Sequence, residues 1–140
     1  MKIHGFLVKS GNYWAVEVPL MLIHTQGRSK REAYAMAKDA IEELVDKPGF
    51  QVEIIEDGHN EFVVRSNNDI ATTAFILKQQ RASFGLSIRD VAKKLGSSSP
   101  RAYSQYEDGS TKPNIELFLK ILRAINTDAE PVFSLKRKRA

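Results

Sequence analysis

The most constraining feature of the sequence is residues 86–113, whose pattern predicts two short helices joined by a tight turn. Ser87 can cap the first helix, because its hydroxyl accepts a hydrogen bond from an otherwise unpaired backbone N–H. Gly96 supplies the backbone freedom to end that helix and turn the chain. A second helix is predicted to start at Ser99 and Pro100. Ser is a favoured cap, and Pro suits the first helical position because its missing N–H is not needed there. Two such helices with a glycine in the turn predict a helix-turn-helix motif.

In a helix-turn-helix, the second helix can enter the DNA major groove. Arg can form two hydrogen bonds with guanine and Gln two with adenine, so we predict Arg101 and Gln105 as the main base-reading residues. Pro100 and Ser104 lie on the same outward side and complete the predicted base-contacting set. The predicted phosphate contacts, which would set register on the duplex, are Ser87, Arg89, Ser98, Ser99, Lys112 and Asn114. The alternative for each is a solvated helix surface. Glu107 is expected to organise the turn and not to contact DNA.

This stretch resembles a known family. The matching residues are Leu86-Ser87, Val91-Ala92, Leu95-Gly96, residues 103–109 and Pro113. Together they resemble the helix-turn-helix of the Cro/phage-repressor family, also called XRE. The run from Gly96 to Glu107 is one residue longer than the usual pattern, which lengthens the turn into the second helix. The resemblance implies binding to double-stranded operator DNA as a homodimer or a higher homo-oligomer.

The charge of the chain is divided unevenly. Residues 1–69 hold 8 Lys and Arg against 11 Asp and Glu, a net charge of −3, whereas residues 70–140 hold 13 against 6, a net charge of +7. This asymmetry indicates two modules with different partners. The chain has no cysteine, so disulfides and thiolate metal sites are excluded. We expect a cytoplasmic protein, because no apolar run is long enough to span a bilayer and the N-terminus lacks the apolar core of a signal peptide.

The front half alternates strand and turn signals around one helix. Ser29, with Glu32 three residues later, predicts the start of that helix. Gln26-Gly27 is expected to turn the chain out of the third strand. The predicted strands cover residues 3–8, 13–18, 22–25, 51–56 and 62–64. The expected fold is therefore α+β: a small antiparallel sheet with one helix in the order β-β-β-α-β, with one further strand allowed, followed by an all-α helix-turn-helix domain.

The front half also resembles a known domain. The matching residues are 13–19, 25–27, Glu32-Ala33 and 37–41. They resemble the HicB antitoxin domain, which implies a reduced RNase H-like fold that binds a toxin. Where that family carries a glycine-containing turn, this chain has residues 20–24 without glycine, so we expect an exposed Leu20-Met21 pair. The candidate toxin contacts are Leu20, Met21, Glu42 and Glu43.

Together the two resemblances imply a HicB-type antitoxin that binds a HicA-like ribonuclease toxin and represses its own operon. The predicted boundaries are residues 1–66 for the toxin-binding domain, 67–71 for a linker, 72–135 for the DNA-binding domain and 136–140 for a disordered basic tail. One alternative is an ordinary transcriptional repressor whose front domain is a sensor or oligomerisation module. A further alternative is that the rear domain has lost DNA binding and only dimerises.

Catalysis is not expected. The first strand, residues 3–8, has no carboxylate to hold a hard cation. His4, His24 and His59 are far apart in sequence, and no pair has helical metal-ligand spacing. The sequence also lacks a nucleophile motif and a glycine-rich phosphate loop. We therefore expect no catalytic residue, no metal and no cofactor.

The last helix is predicted to begin after a cap at Asn114. It carries an apolar stripe formed by Ile115, Phe118, Leu119, Leu122 and Ile125. A core face is the favoured explanation of this stripe and a dimer seam the alternative. Residues 131–135 could form a short strand or an arm across a partner subunit.

Overall fold

The computed structural model describes residues 1–135 and 137. The elements, in chain order, are β1 (Ile3–Ser10), β2 (Tyr13–Val18), a 3-10 turn (Pro19–Met21), β3 (Ile23–Gly27), α1 (Lys30–Val45), β4 (Val52–Glu56), β5 (Glu61–Ser66), α2 (Asp69–Ser83), α3 (Ile88–Lys94), α4 (Pro100–Glu107) and α5 (Ile115–Ile125). The predicted α+β class is confirmed, and β5 makes the order β-β-β-α-β-β, with the further strand that the sequence allowed.

The five strands form one antiparallel sheet in the order β3-β2-β1-β5-β4. Alternation along the strands places Val16, Val18 and other apolar side chains on one face. Helix α1 packs there and buries Ala33, Ala37 and Ile41 completely. The Ser29 hydroxyl accepts a hydrogen bond of 3.1 Å from the Glu32 backbone N–H, so the predicted cap is confirmed.

Gly27 does not turn the chain as expected, because it is the last residue of β3 and pairs with Trp14 of β2. A Cβ atom at this position would lie 2.4 Å from the Ala33 backbone nitrogen. The glycine therefore permits close packing of α1 on the sheet edge, a tertiary requirement that resembles a turn signal in the sequence.

The segment after β2 differs from the expected exposed apolar pair. Leu20 is half-buried and Met21 is only 1% exposed, because the 3-10 turn directs Met21 into the core. Leu22, at the end of this turn, adopts a left-handed backbone with φ of 54° and is 41% exposed. Leu22 thus takes the backbone conformation that glycine adopts most easily.

The passage from sheet to helix is tied down by side-chain hydrogen bonds. The Asn67 side chain accepts a hydrogen bond of 3.0 Å from the Gln51 backbone and donates one of 2.9 Å to the Gly49 carbonyl. Asn68 caps α2 by accepting a hydrogen bond of 3.0 Å from the Ala71 backbone N–H. Helix α2 begins at Asp69, so residues 69–71 of the predicted linker form its first turn.

Helix α2 also contacts the 3-10 turn. The Gln79 side chain donates a hydrogen bond of 3.1 Å to the Met21 carbonyl, and the Gln80 side chain donates one of 3.0 Å to the Leu20 carbonyl. The front sheet and the rear helices are therefore packed against each other and share one continuous apolar core.

The rear core forms where α2, α3, α4 and α5 meet. Its fully buried members include Ile76, Leu77, Val91, Tyr103 and Ile121. The predicted stripe of α5 divides along its length. Leu122 and Ile125 are buried, Phe118 and Leu119 are half-buried, and Ile115 is 64% exposed.

The segment 131–135 forms neither a helix nor a strand. Val132 and Phe133 are 89% and 64% exposed. The predicted basic tail, residues 136–140, lies outside the described residues apart from Arg137, which is exposed. In the described part of the chain, no helix has both the length and the apolar character required to cross a membrane.

Candidate nucleic-acid interface

Helix α3 is fixed at its start by a reciprocal cap. The Ser87 hydroxyl accepts a hydrogen bond of 3.0 Å from the Asp90 backbone, and the Asp90 carboxylate accepts one of 2.8 Å from the Ser87 backbone. These hydrogen bonds stabilise the charged carboxylate and lower the pKa of Asp90. Val91 and Ala92 then bury the inner side of α3. The cap thus sets where the first helix of the motif begins.

The turn between α3 and α4 starts at Gly96, whose φ of 77° requires the left-handed conformation. The Ser97 hydroxyl donates to the Ser99 carbonyl at 3.1 Å and accepts from the Ser99 backbone N–H at 3.2 Å. Ser99 occupies the cap position of α4, but its side chain makes no capping hydrogen bond, contrary to the prediction. Pro100 at the first helical position lacks an N–H, so one of the unpaired donors is absent there.

The inner face of α4, formed by Tyr103 and Glu107, anchors the helix to α2. The Glu107 carboxylate accepts hydrogen bonds from Arg81 Nε at 2.7 Å and Arg81 Nη2 at 2.9 Å. The third guanidinium nitrogen, Nη1, donates a hydrogen bond of 2.8 Å to the Leu86 carbonyl. The side chains of Arg81 and Glu107 are 17% and 6% exposed, so the pair is largely shielded from water.

The ion pair between Arg81 and Glu107 affects the pKa values of Arg81 and Tyr103. Hydrogen bonding to Glu107 raises the pKa of Arg81 above its usual range. Burial, together with the nearby Glu107 charge, raises the pKa of Tyr103. These upward shifts keep Arg81 charged and Tyr103 protonated across the physiological pH range.

The outer face of α4 consists of the four predicted base-contacting residues, Pro100, Arg101, Ser104 and Gln105. Arg101 and Gln105 are four residues apart and thus neighbours on one side of the helix. Arg101 is exposed, whereas the other three are half-buried. The Ser104 hydroxyl donates a hydrogen bond of 2.9 Å to the Arg101 carbonyl, which leaves its oxygen as an acceptor. The fold therefore brings the predicted set together on one surface.

The predicted phosphate contacts fall into two groups. Arg89, Ser98, Ser99 and Lys112 are exposed side chains. Ser87 and Asn114 are exposed helix caps, and the Asn114 side-chain oxygen accepts a hydrogen bond of 2.8 Å from the Leu117 backbone. Capping uses the oxygens of both residues as acceptors, so their O–H and NH₂ donors remain for other partners.

The candidate toxin contacts lie on the 3-10 turn and on α1, and they differ in exposure. Met21 is buried and Leu20 is half-buried against α2, which removes Met21 from the surface. Glu42 is half-buried and forms an ion pair with Lys38, whose ammonium also donates a hydrogen bond of 3.0 Å to the Val52 carbonyl. Glu43 is exposed on α1. Glu43 is therefore the most exposed of the four candidates.

The sequence gives no signal for Arg81, although its guanidinium donates the two hydrogen bonds to Glu107 that join α4 to α2. Arg81 is 26 positions from Glu107, and no local pattern links the two. Glu107 holds α4 through this distant partner. In residues 1–135 and 137, no three His, Cys, Asp or Glu side chains are grouped so that they could hold a metal ion.

The geometry agrees with a comparison to known families. Residues 77–132 match the family model described as Helix-turn-helix. They form a DNA-binding helix-turn-helix domain. The chain is accordingly a DNA-binding transcription regulator. The match spans the C-terminal half of α2 through α5 and excludes the front sheet, and no curated protein matches the chain. The resemblance of the front half to the HicB domain thus remains a prediction.

Proposed function

We propose that this regulator is an antitoxin that represses its own operon, with a front domain that binds and neutralises a HicA-like ribonuclease toxin. The observation that carries the proposal is the pairing of a DNA-binding helix-turn-helix with a front domain that contains the β-β-β-α-β order implied by the HicB resemblance, followed by one further strand. The two domains pack against each other through Gln79 and Gln80, so one molecule would hold both partners.

For DNA, we propose that the outer face of α4 lies in the major groove. Arg101 would form paired hydrogen bonds with guanine and Gln105 with adenine. Pro100 and Ser104 would complete the base contacts. The phosphate contacts would come from Ser87, Arg89, Ser98, Ser99, Lys112 and Asn114, on both sides of the helix. The net charge of +7 over residues 70–140 supports this assignment, since counterion release favours binding of a basic domain to a polyanion.

For the toxin, the supporting observation is charge. A ribonuclease that binds RNA needs a basic surface, and residues 1–69 carry a net charge of −3. Opposite net charges increase the encounter rate and orient the partners. Glu42 and Glu43 on α1 remain candidate contacts.

We also propose that the chain acts as a homodimer or a higher homo-oligomer. Helix-turn-helix dimers bind two half-sites one helical turn apart, which increases both affinity and selectivity. Exposed apolar side chains support self-association: Ile115 at the start of α5, then Val132, Phe133 and Leu135 after it.

The experiment is co-expression with the product of the neighbouring gene, which the proposal requires to be a short basic protein. The tagged chain should co-purify with this product and restore growth that the product alone arrests. The Arg101→Ala variant is the separation control, because it should still restore growth while it loses selective binding to the upstream DNA. If the two proteins do not co-purify and neither affects growth, the antitoxin proposal fails. Selective binding to the upstream DNA would then leave an ordinary repressor as the function.

A further inference from the structure

The end of the front sheet that points away from the helix-turn-helix carries a concentrated positive charge. Lys9 of β1 pairs with Trp14 of β2, and Trp14 pairs with Gly27 of β3, so these three residues form one row across the sheet. Arg28 follows directly, and Lys30 and Arg31 begin α1. We call Lys9, Trp14, Arg28, Lys30 and Arg31 the distal basic patch. It holds four of the eight Lys and Arg of a region whose net charge is −3.

Trp14 is the centre of this patch. Lys9 Nζ lies 5.0 Å and Lys30 Nζ 4.8 Å from the centre of its ring, both within cation–π distance. The ring is half-buried, whereas Lys9, Arg28 and Arg31 are exposed. The patch therefore presents an aromatic surface together with cations on flexible side chains.

The cations of the patch have little to neutralise them. Within residues 1–135 and 137, Arg28, Lys30 and Arg31 form no ion pair with a carboxylate. Lys30 and Arg31 lie in the first turn of α1, where the positive end of the helix dipole disfavours cations. Glu32 is the single carboxylate in that turn. An anionic ligand would relieve both the mutual repulsion and the unfavourable dipole.

The patch is separate from the surface that reads DNA. Trp14 is at the start of β2, whereas the 3-10 turn that contacts α2 follows the end of β2. A strand of this length spans about 20 Å. The patch is thus a second basic surface, about one strand length from the junction with the rear domain.

We propose that the distal basic patch binds single-stranded nucleic acid, RNA or DNA. Proteins that bind single strands combine cations that track the phosphates with aromatic side chains on which bases stack. In this arrangement, Lys9 and Lys30 move from the Trp14 ring to neighbouring phosphates, and a base takes their place on the ring. Arg28 and Arg31 contact the next phosphates along the strand.

The test uses the fluorescence of Trp14, the only tryptophan in the chain, so a signal from this residue locates the bound strand. The full chain is titrated with oligouridylate and oligothymidylate of about 12 nucleotides, a length within known site sizes. Both should quench the fluorescence to saturation, and the tighter of the two identifies RNA or DNA as the preferred strand. Four phosphate contacts predict a slope of about −2.8 for log affinity against log salt.

The variant Lys9→Gln/Arg31→Gln removes two of the four phosphate contacts. Its slope should be shallower, about −1.4, since each single-strand phosphate contact contributes about −0.7. The matched control is Lys2→Gln/Lys47→Gln, which removes the same charge from exposed positions elsewhere in the front domain and should leave the slope unchanged. Circular dichroism checks that both variants are folded.

Three results would overturn the proposal. One is an unchanged Trp14 signal with either oligonucleotide. A second is an equal loss of slope in the variant and its control. The third is equal quenching by polyglutamate or by duplex DNA, which would make the patch a general anion surface, an acidic-protein surface or a duplex contact.

Discussion

The inner and outer faces of helix α4 each carry a charged side chain, but the two charges differ in exposure and in partners. On the inner face, Glu107 is 6% exposed and forms two hydrogen bonds with Arg81, so that charge is shielded and fixed. On the outer face, Arg101 is exposed and lies beside Gln105. The buried pair holds the helix in place, whereas the outer face remains available for DNA. We therefore expect inner-face variants to change stability and outer-face variants to change base preference.

The largest effect is expected for Glu107→Ala. The substitution leaves the largely buried Arg81 guanidinium without its carboxylate, which should cost about 3–5 kcal/mol in the free energy of unfolding. Urea denaturation followed by circular dichroism measures this change. Glu43→Ala removes an exposed carboxylate and should stay within about 0.5 kcal/mol. A similar small change for Glu107→Ala would show that the pair does not hold the helix.

A smaller effect is expected at the junction of the two domains. Gln80→Ala removes the donor to the part-buried Leu20 carbonyl, which should cost about 1–3 kcal/mol. Because the domains share a core, Trp14 fluorescence and far-ultraviolet circular dichroism should report the same unfolding midpoint before and after the change. Lys78→Ala, on an exposed position of the same helix, is the control. Two separate midpoints in the wild-type chain would contradict a shared core.

Leu22→Gly should stabilise the chain. Leu22 has a φ of 54°, and a left-handed conformation costs a non-glycine residue about 1–2 kcal/mol. Glycine also has more conformational freedom to lose on folding, so the net gain should be about 0.5–1 kcal/mol. Differential scanning calorimetry should show a higher Tm, and Leu22→Ala should not reproduce the gain. A lower Tm for Leu22→Gly would mean that the Leu22 side chain contributes more than its backbone costs.

The smallest effect concerns the cap of α3. Asp90 has its pKa lowered below the ordinary value of 3.8 by hydrogen bonds with Ser87. Its contribution to stability is therefore present above pH 3.8 and is lost as the pH falls through the lower pKa of the folded state. The stability difference between the wild-type chain and Asp90→Ala should shrink in that range. A difference that stays constant from neutral pH to pH 3 would contradict the assignment.

Local signals allowed much of the fold to be predicted. Ser29, Ser87 and Asn114 cap their helices as expected, because a helix cap depends on neighbouring residues only. The outer face of α4 was predictable for the same reason, since helical spacing fixes which residues share a side.

The remaining features depend on contacts between distant parts of the chain. Gln80 is 60 positions from Leu20 and Arg81 is 26 from Glu107, so neither pair leaves a pattern in a short window of sequence. The Gln26-Gly27 pair predicts a turn, but Gly27 instead permits close packing of α1 on the sheet. The predicted exposure of Met21 is wrong, since its burial depends on packing against distant parts of the chain that include α2.

The most direct test of base reading by α4 is the base preference of Arg101→Ala on a DNA site selected from randomised duplexes with the wild-type chain. Anisotropy titrations against that site and its single-base variants measure discrimination at each position. We predict a loss of about 1–3 kcal/mol of discrimination at one guanine, with unchanged thermal stability. An unchanged preference profile would contradict the assignment of the outer face of α4 as the surface that reads DNA.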